Sequence, residues 1–283
     1  MDLVELQIFK TVAEQGGITK AAAALHRVQS NVTTRVKHLE ERLGIQLFHR
    51  QGRRLVLSSE GKVLLDYAER MLRLSSEAQA ALKGHAPHGL FKLGTLESTA
   101  ATRLPPLLAR YHRRYPAVRL ELTTGTSGAL VDRVLRGEIE AAFVAEPYSA
   151  KNLEAAHAFT EELVLITPKS HAPVGSPADI DQRVILAFTT GCSYRRRLEA
   201  WLGRSSIVAE RIMEYSSYHA IAACVAAGSG IAVVPKSVLR TTGVEGQVAV
   251  HPLPAKVANA RTMLVWRRGH ASAPLAALRE ELG

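Results

Sequence analysis

The chain contains few of the residues that build covalently or metal-stabilised folds. Only two cysteines occur among its 283 residues, Cys192 and Cys224, and they lie far apart with no CxxC pair. This spacing excludes a disulfide framework and gives no pattern for a zinc site. We therefore predict a protein of the reducing cytoplasm, with no metal ion and no cofactor.

Long apolar runs are also missing. No stretch approaches the length of a membrane span, and the first residues, MDLVELQIFK, have an acidic second position and no long apolar core. We expect neither a transmembrane helix nor a secretory signal.

The sequence lacks the common motifs of enzymes. It has no GxSxG nucleophile turn, no GxxxxGKS/T phosphate loop, no GxGxxG dinucleotide turn and no HExxH zinc helix. His157, His219 and His251 are scattered without a Cys or Asp pattern that would indicate a catalytic triad. We predict that the protein is not an enzyme. A small-molecule enzyme with an accessory basic domain stays an alternative, which a turnover assay would separate.

What the chain does have is length, apolar residues and positive charge. Hydrophobic residues make up 47% of it, enough for packed cores, and its length predicts two or three domains. Its 36 basic and 26 acidic residues give a net charge of +10, which favours an anionic partner. Seven basic residues and two acidic ones lie between Arg27 and Arg54. Since this stretch contains no Trp and a single Phe, Phe48, nucleic acid is favoured over a membrane.

The first 60 residues have the pattern of a helix-turn-helix. Asp2 and Glu5 form a capping-box pattern at the start of a helix, and two glycines and an alanine-rich helix follow. In the next stretch, VQSNVTTRVKHLEERLG from Val28, apolar residues recur at helical spacing: Val32, Val36, Leu39 and Leu43. The opposite side presents Ser30, Thr34 and Lys37, a short polar face that suits the second helix of the motif.

Two further elements are predicted before residue 90. The segment LFHRQGRRLVLSSEG has a Gln51-Gly52 turn signal between two short segments, which indicates a two-stranded wing with arginines at its tip. A heptad-like seam then predicts a linker and dimerisation helix over residues 61–86, and hence a homodimer or homotetramer. The seam consists of Leu64, Tyr67, Met71, Leu74, Ala78 and Ala81. An ordinary amphipathic helix that packs on its own domain is the alternative.

These elements together predict binding to double-stranded DNA. Gln29 can bond adenine bidentately, threonine methyl groups can contact thymine, and basic side chains can hold phosphates. A polar helix face exposed only to water is the alternative. The candidate DNA-binding residues are Gln29, Ser30, Asn31, Thr33, Thr34, Arg35, Lys37, Arg50, Arg53 and Arg54.

Beyond a GHAPHG linker, short apolar strands alternate with helices, which predicts a largely parallel α/β domain. At three junctions a strand ends in small polar residues just before a helix, the place where open α/β sheets bind ligands. These junctions supply the candidate cleft residues Ser98, Thr99, Thr126, Ser127, Ser193 and Tyr194. Each of them could equally cap its helix. Glu97 and Glu146 could hold an ammonium group, or instead form surface ion pairs.

Residues 1 to about 60 resemble the winged helix-turn-helix of LysR-type transcriptional regulators. Ser30 departs from the family's usual Pro and Thr33 from its commoner Ser, so the half-site sequence does not carry over. The matching residues are Gln29, Val32, Thr33, Val36, Leu39, Glu40, Leu43, Gly44, Leu47, Phe48 and Arg50.

The resemblance extends over the whole chain, because VAAGSGIAVVP fits the family's helix, glycine turn and strand near the ligand cleft. It implies a multi-domain α plus α/β protein: a winged helix-turn-helix at 1–60, a linker helix at 61–86 and a periplasmic-binding-protein-like effector domain at 87–283. We expect its first lobe at 90–161 plus 264–283 and its second at 162–263.

The implied function is sequence-specific transcriptional regulation controlled by a small-molecule effector bound between the lobes. Several segments, among them HRVQSNVTTR and CSYRRRLEAW, are similar to regulators of putrescine and related amine or amino-acid catabolism. The alternative is a DNA-binding protein that responds to no effector. Titration with metabolites separates the two.

Overall fold

The computed structural model describes residues 1–51, 54–83, 86–181 and 183–282. The chain forms two compact units, Met1–His85 and Ala86–Gly283. Among the described residues, no helix is both long enough and apolar enough to span a membrane.

The first unit has the predicted order of helices and wing strands. The capping box at the start of α1 is present, since the Asp2 side chain accepts the N–H of Glu5 and the Glu5 side chain accepts that of Asp2. The strands β1 and β2 pair antiparallel as a wing. The elements are α1 (Leu3–Gln15), α2 (Ile18–Ala24), α3 (Gln29–Leu43), β1 (Phe48–Gln51), β2 (Arg54–Leu57) and α4 (Ser59–Lys83).

The core of this unit forms where α1, α3 and the wing meet. Phe9 is fully buried, and its ring centroid lies 5.3 Å from that of Phe48. The apolar stripe of α3 is buried at Val32, Val36 and Leu39, as predicted. The prediction was wrong for Leu43, which is 38% exposed. Leu43 is the last residue of α3, which is capped by Gly44.

The predicted seam residues of the long helix α4 lie on two faces of the helix. Leu64 and Met71 pack against the core of the first unit, as the alternative interpretation expected. Tyr67 and Leu74 are 53% and 65% exposed. The helix therefore packs on its own unit through one face and exposes an apolar ridge, formed by Tyr67 and Leu74, on another.

The second unit is an α/β domain. Its strands are β3 (Gly89–Thr95), β4 (Val118–Thr124), β5 (Ala141–Ala145), β6 (Leu153–Pro168), β7 (Val184–Phe188), β8 (Arg211–Tyr215), β9 (Ala232–Pro235), β10 (Val248–Pro252) and β11 (Asn259–Arg267). Its helices are α5 (Glu97–Thr102), α6 (Leu104–Arg114), α7 (Ser127–Arg136), α8 (Ser193–Gly203), α9 (Tyr218–Ala226), α10 (Lys236–Thr242), α11 (Ala255–Ala258) and α12 (Ala273–Glu280).

The strands form two groups joined by β6. The first group has the order β4–β3–β5–β11–β6, and the second half of β6 continues between β9 and β10. The pair β7–β8 lies next to the second group through a bridge between Ile185 and Ile231. The 16-residue β6 thus carries the chain from one group to the other.

The prediction of a largely parallel sheet was only partly right. Strands β3, β4 and β5 pair parallel, and so do β7 and β8. The strands β6, β9, β10 and β11 pair antiparallel. The physical reason is that β11 runs antiparallel between β5 and β6, so the parallel pairing of this group ends at β5.

Replacement of Gly94 tests the packing of α7 on β3. A Cβ at Gly94 would lie 2.6 Å from Ile139 Cδ1 and 2.7 Å from Leu130 Cδ2, closer than real contacts. We expect Gly94→Ala to lower the free energy of unfolding by about 1–3 kcal/mol, as overpacked cores do. Urea unfolding followed by tryptophan fluorescence measures this unit alone, because both tryptophans, Trp201 and Trp266, belong to it.

Gly203→Ala is the matched control, since nothing lies within 4 Å of a Cβ there. We expect it to be neutral or slightly stabilising. Equal unfolding midpoints for the two variants would contradict the packing argument.

Candidate functional site

The outward face of α3 carries the polar side chains that the sequence singled out. Gln29, Ser30, Thr34 and Lys37 are exposed on it. The hydroxyl of Thr33 donates to the Gln29 carbonyl at 2.9 Å, which leaves its methyl group as the part free to meet a partner. The face therefore offers one amide, hydroxyl groups and a cation.

Two other candidates on α3 have partners within the unit. Arg35 Nη1 lies 3.8 Å from Asp2 Oδ2 and 3.9 Å from Glu5 Oε1, so it faces the start of α1. The side-chain oxygen of Asn31 accepts from Arg27 at 3.4 Å. These contacts suit a positioning role better than a reading role.

A groove in the same unit brings Gln29 together with Arg50 of β1 and Lys20 of α2. Sequence reasoning missed Lys20, although its place just before the alanine run could have indicated it. Arg53 and the side chain of Arg54 lie outside the described part of the chain.

In the second unit, a cleft opens where β3, β4, β5, β7 and β8 end. Its protein-free space, counted together with the open mouth, is about 270 Å³. It is lined by Leu96, Glu97, Gly125, Thr126, Ser127, Ala145, Phe188, Cys192, Ser193, Tyr194 and Tyr218. Side chains from both strand groups contribute to it, as the junction argument predicted.

Several polar atoms in and beside this cleft are buried without a hydrogen-bond partner among the described residues. They include Glu97 Oε2 and the hydroxyls of Ser98, Thr99, Tyr194 and Thr262. Ser98 and Thr99 are each 1% exposed, and Tyr194 is 3% exposed. Burial raises the pKa of Tyr194 far above its usual value, while the nearby Ser98 and Thr262 act in the opposite direction. Unsatisfied buried polar groups are costly, and their concentration here makes the cleft the candidate ligand site.

Three other cleft candidates have partners within the chain. Thr126 accepts the N–H of Ala129 and so caps α7. Ser127 exchanges hydrogen bonds with the backbone of Ala145 at 3.1 and 3.2 Å. Ser193 donates to the carbonyl of Ala145 at 2.7 Å and lies 3.2 Å from that of Pro147. For these residues the structural role, which the sequence left open, is present.

The two strand groups approach closely at one edge of the cleft. The N–H of Gly128, in the first turn of α7, donates to the Gly191 carbonyl at 3.2 Å. Gly191 has φ +97°, and a Cβ there would lie 2.9 Å from Thr126 Oγ1. A glycine is required at this position by both its backbone conformation and the close approach.

An ion pair with a buried carboxylate connects two helices to β6. Glu161, on β6, accepts from Arg103 at 2.6 and 3.1 Å and from the Ser237 hydroxyl at 2.9 Å. Arg103 joins α5 to α6, and Ser237 belongs to α10, so Glu161 holds α5 and α10 against β6.

Glu146 differs from Glu97 in its surroundings. Its carboxylate lies 3.8 Å from Arg261, and it is not among the residues that line the cleft. Glu97 lines the cleft, and burial raises its pKa, while a backbone hydrogen bond from Tyr218 and the nearby His219 act to lower it. Burial also raises the pKa of the Cys192 thiol, which disfavours the thiolate that reacts with oxidants.

Sequence reasoning missed Phe188 and Tyr218, whose rings lie 4.7 Å apart in the cleft wall. The signal was present: EYSSYHA is a fourth junction at which a strand ends in small polar residues before a helix. Among the described residues, no group of His, Cys, Asp and Glu could hold a metal ion.

The two units define a class of protein, a winged helix-turn-helix joined by a long helix to an α/β ligand-binding domain. Residues 3–62 match the family model of the bacterial regulatory helix-turn-helix proteins of the LysR family, and residues 84–283 match that of the LysR substrate binding domain. The chain belongs to the family of LysR-type transcriptional regulators.

Similar proteins agree with this assignment. The chain is 41% identical to the HTH-type transcriptional regulator YusT of Bacillus subtilis (strain 168) over 269 residues, which cover 95% of this chain and 90% of that one. It is 37% identical to GltR of the same organism, over 95% of this chain and 91% of that one. Among solved structures, full-length OxyR from Pseudomonas aeruginosa matches with a TM-score of 0.74 at 24% identity, covering 100% of this chain and 94% of that one. CbnR in complex with its target DNA matches with a TM-score of 0.67 at 23% identity, covering 100% and 99%.

The family settles the general function. The protein is a DNA-binding transcriptional regulator with an effector-binding domain, and not an enzyme. Its partners are DNA and a small-molecule effector. The predicted fold class, a winged helix-turn-helix followed by a long helix and an α/β effector domain, is confirmed.

Two serines near the cleft should differ in their effect on stability. Ser193→Ala removes the hydroxyl that donates to the carbonyl of Ala145 and lies beside that of Pro147, and should lower the free energy of unfolding by about 1–2 kcal/mol. Ser98→Ala removes a buried hydroxyl without a partner and should leave stability equal or higher. Urea unfolding followed by tryptophan fluorescence compares them. A larger loss for Ser98→Ala would show that its hydroxyl has a partner within the chain.

Proposed function

We propose that a small molecule bound in the cleft lined by Glu97 and Tyr194 controls how the α3 face binds promoter DNA. The observation that supports the proposal is that both residues line the cleft and carry buried polar atoms without a partner. Ser98, Thr99 and Thr262 add hydroxyl groups in the same condition. A ligand that hydrogen-bonds these groups offsets the desolvation cost that they carry without a partner.

We assign roles in DNA binding to residues of the first unit according to the exposure of their side chains. Gln29 and the Thr33 methyl group read base edges, with Ser30 and Thr34 beside them. Lys37, Arg50 and Lys20 bind phosphates, because they are exposed around the same face and groove. Arg35 and Asn31 position the helix through their contacts with Asp2, Glu5 and Arg27.

The division of the effector domain into lobes remains a proposal. The pairing of β6 supports a first crossover near Glu162, where its partner changes from β11 to β9. The second crossover fits better at Asn259 than at 264, since β11 begins there and pairs with β5 from Thr262 to Trp266.

We also propose that the exposed Tyr67 and Leu74 ridge of α4 is the dimer contact, as a two-fold dimer would need for a pseudo-palindromic site. The cytoplasm, where a transcriptional regulator meets DNA, is the proposed location.

A gel shift tests the proposed function. The purified full-length protein is mixed with the intergenic DNA beside its own gene, with and without a panel of amines, amino acids and carboxylates. A sequence-specific shift altered by one compound in the wild type, and no longer altered in Tyr194→Phe, is the expected result. A compound that alters the shift equally in both proteins would place the effector site elsewhere.

Lys37 and Arg35 should separate DNA contact from helix positioning. Lys37→Ala should weaken binding to specific and scrambled DNA alike and reduce the slope of log K against log salt by about 1. Arg35→Ala should leave that slope unchanged, because its guanidinium faces the acidic residues of α1. Fluorescence anisotropy over a range of salt concentrations measures the slopes, and equal slopes for the two variants would contradict these roles.

Gln29→Ala should have a third outcome. We expect it to reduce the preference for the operator over scrambled DNA by about ten-fold or more, the effect of one bidentate base contact. The same anisotropy titration measures it. Equal weakening on both DNAs would contradict base reading by Gln29.

A further inference from the structure

We infer that the effector is a small organic cation, a ligand carrying a protonated or methylated amine, held by Glu97 and the aromatic wall of the cleft. This inference rests on the proposed function of the cleft and names the chemical class of its ligand.

The first support is the charge of the cleft. Among the described residues that line it, Glu97 is the one carboxylate, and none is Lys or Arg. Arg103 is bound to Glu161, and Arg197 donates to the carbonyls of Glu146, Lys256, Val257 and Asn259. An anionic ligand would meet a carboxylate and no basic side chain in this lining, whereas a cation meets a matched charge.

The second support is the aromatic lining. Phe188, Tyr194 and Tyr218 all line the cleft, and the rings of Phe188 and Tyr218 lie 4.7 Å apart at 48°. Faces of aromatic rings attract cations, and a set of such faces beside a carboxylate is the common way in which proteins bind ammonium groups. The two features occur here in one cleft.

The third support is the state of the polar atoms. Glu97 accepts one backbone N–H, from Tyr218, but its Oε2 is buried without a partner among the described residues. The Tyr194 hydroxyl, 3% exposed as a residue, lies beside the hydroxyls of Ser98 and Thr262. An ammonium group brings N–H donors and a positive charge to the carboxylate oxygen that lacks a donor.

Glu146 offers no second cation site of this kind. Its carboxylate already has Arg261 at 3.8 Å and lies outside the cleft lining. The chain therefore contains a matched pair of half-buried acids, one that lines the cleft and one that is paired with Arg261.

The test is isothermal titration of the full-length protein with isosteric probes. The amines are 1-butylamine, 1,4-diaminobutane, 4-aminobutanoate and choline, and the matched controls are 1-butanol and butanoate. We expect at least one amine to bind and neither control to do so. The pattern among the four amines separates a simple amine, a diamine, an amino acid and a quaternary ammonium compound.

Variants then locate the binding. Glu97→Gln keeps the shape of the side chain and should weaken binding of the amine by at least about ten-fold, the worth of a charge-assisted contact. Glu146→Gln is the control and should change it by less than about two-fold. Binding of butanoate but of no amine, or an amine affinity that Glu97→Gln leaves unchanged, would overturn the inference. So would the failure of all four amines at millimolar concentration.

The outcomes also separate this inference from the proposed function. If butanoate binds and Tyr194→Phe abolishes that binding, the cleft is the effector site and its ligand is not a cation. If an amine binds but neither Glu97→Gln nor Tyr194→Phe affects it, the ligand binds outside the cleft, and both proposals fall.

Discussion

The buried carboxylate of Glu161 is the constraint on which the effector domain depends. A buried charge is tolerated only with partners, and Glu161 has a guanidinium and a hydroxyl, from Arg103 and Ser237. Because these partners come from α5–α6 and from α10, one side chain on β6 fixes the helix that carries Ser98 and the helix that follows β9.

Several polar groups across the cleft have hydrogen-bond partners within the chain, and this makes the polar atoms without a partner informative. Ser193 and Gly128 connect the strand groups through backbone carbonyls, and Arg197 donates to four more. Against this background, Glu97 Oε2 is buried without a partner among the described residues, although it lies in the same small region. Because the neighbouring polar groups named here have partners within the chain, we infer that the unpaired atom in the cleft is hydrogen-bonded by a ligand.

The sequence predicted the location of the cleft better than its contacts. Strand-end junctions with small polar residues can be recognised without a structure, because a strand followed by a helix start is a local pattern. Ser193 could cap its helix, connect two strand groups or contact a ligand, and the sequence alone does not decide among these roles. The carbonyl that it meets in the structure belongs to Ala145, 48 residues away. The antiparallel return of β11 and the ion pair of Glu146 depend on similarly distant partners. In the first unit the same limit applied to Arg35, whose acidic partners lie on α1, whereas the polar face of α3 needed only helical spacing.

The cleft residues come from both strand groups, and this determines how a ligand can act. Glu97 and Ser98 belong to α5, while Phe188, Tyr194 and Tyr218 belong to the second group, so a ligand that contacts both depends on their separation. A ligand changes an equilibrium only by the difference in its affinity for the two arrangements. A ten-fold effect on DNA binding needs about 1.4 kcal/mol of coupling, and a hydrogen bond to a charged group contributes about 1.5–3 kcal/mol. One ammonium contact with Glu97, made in one arrangement of the strand groups and lost in the other, is therefore enough for a regulatory response.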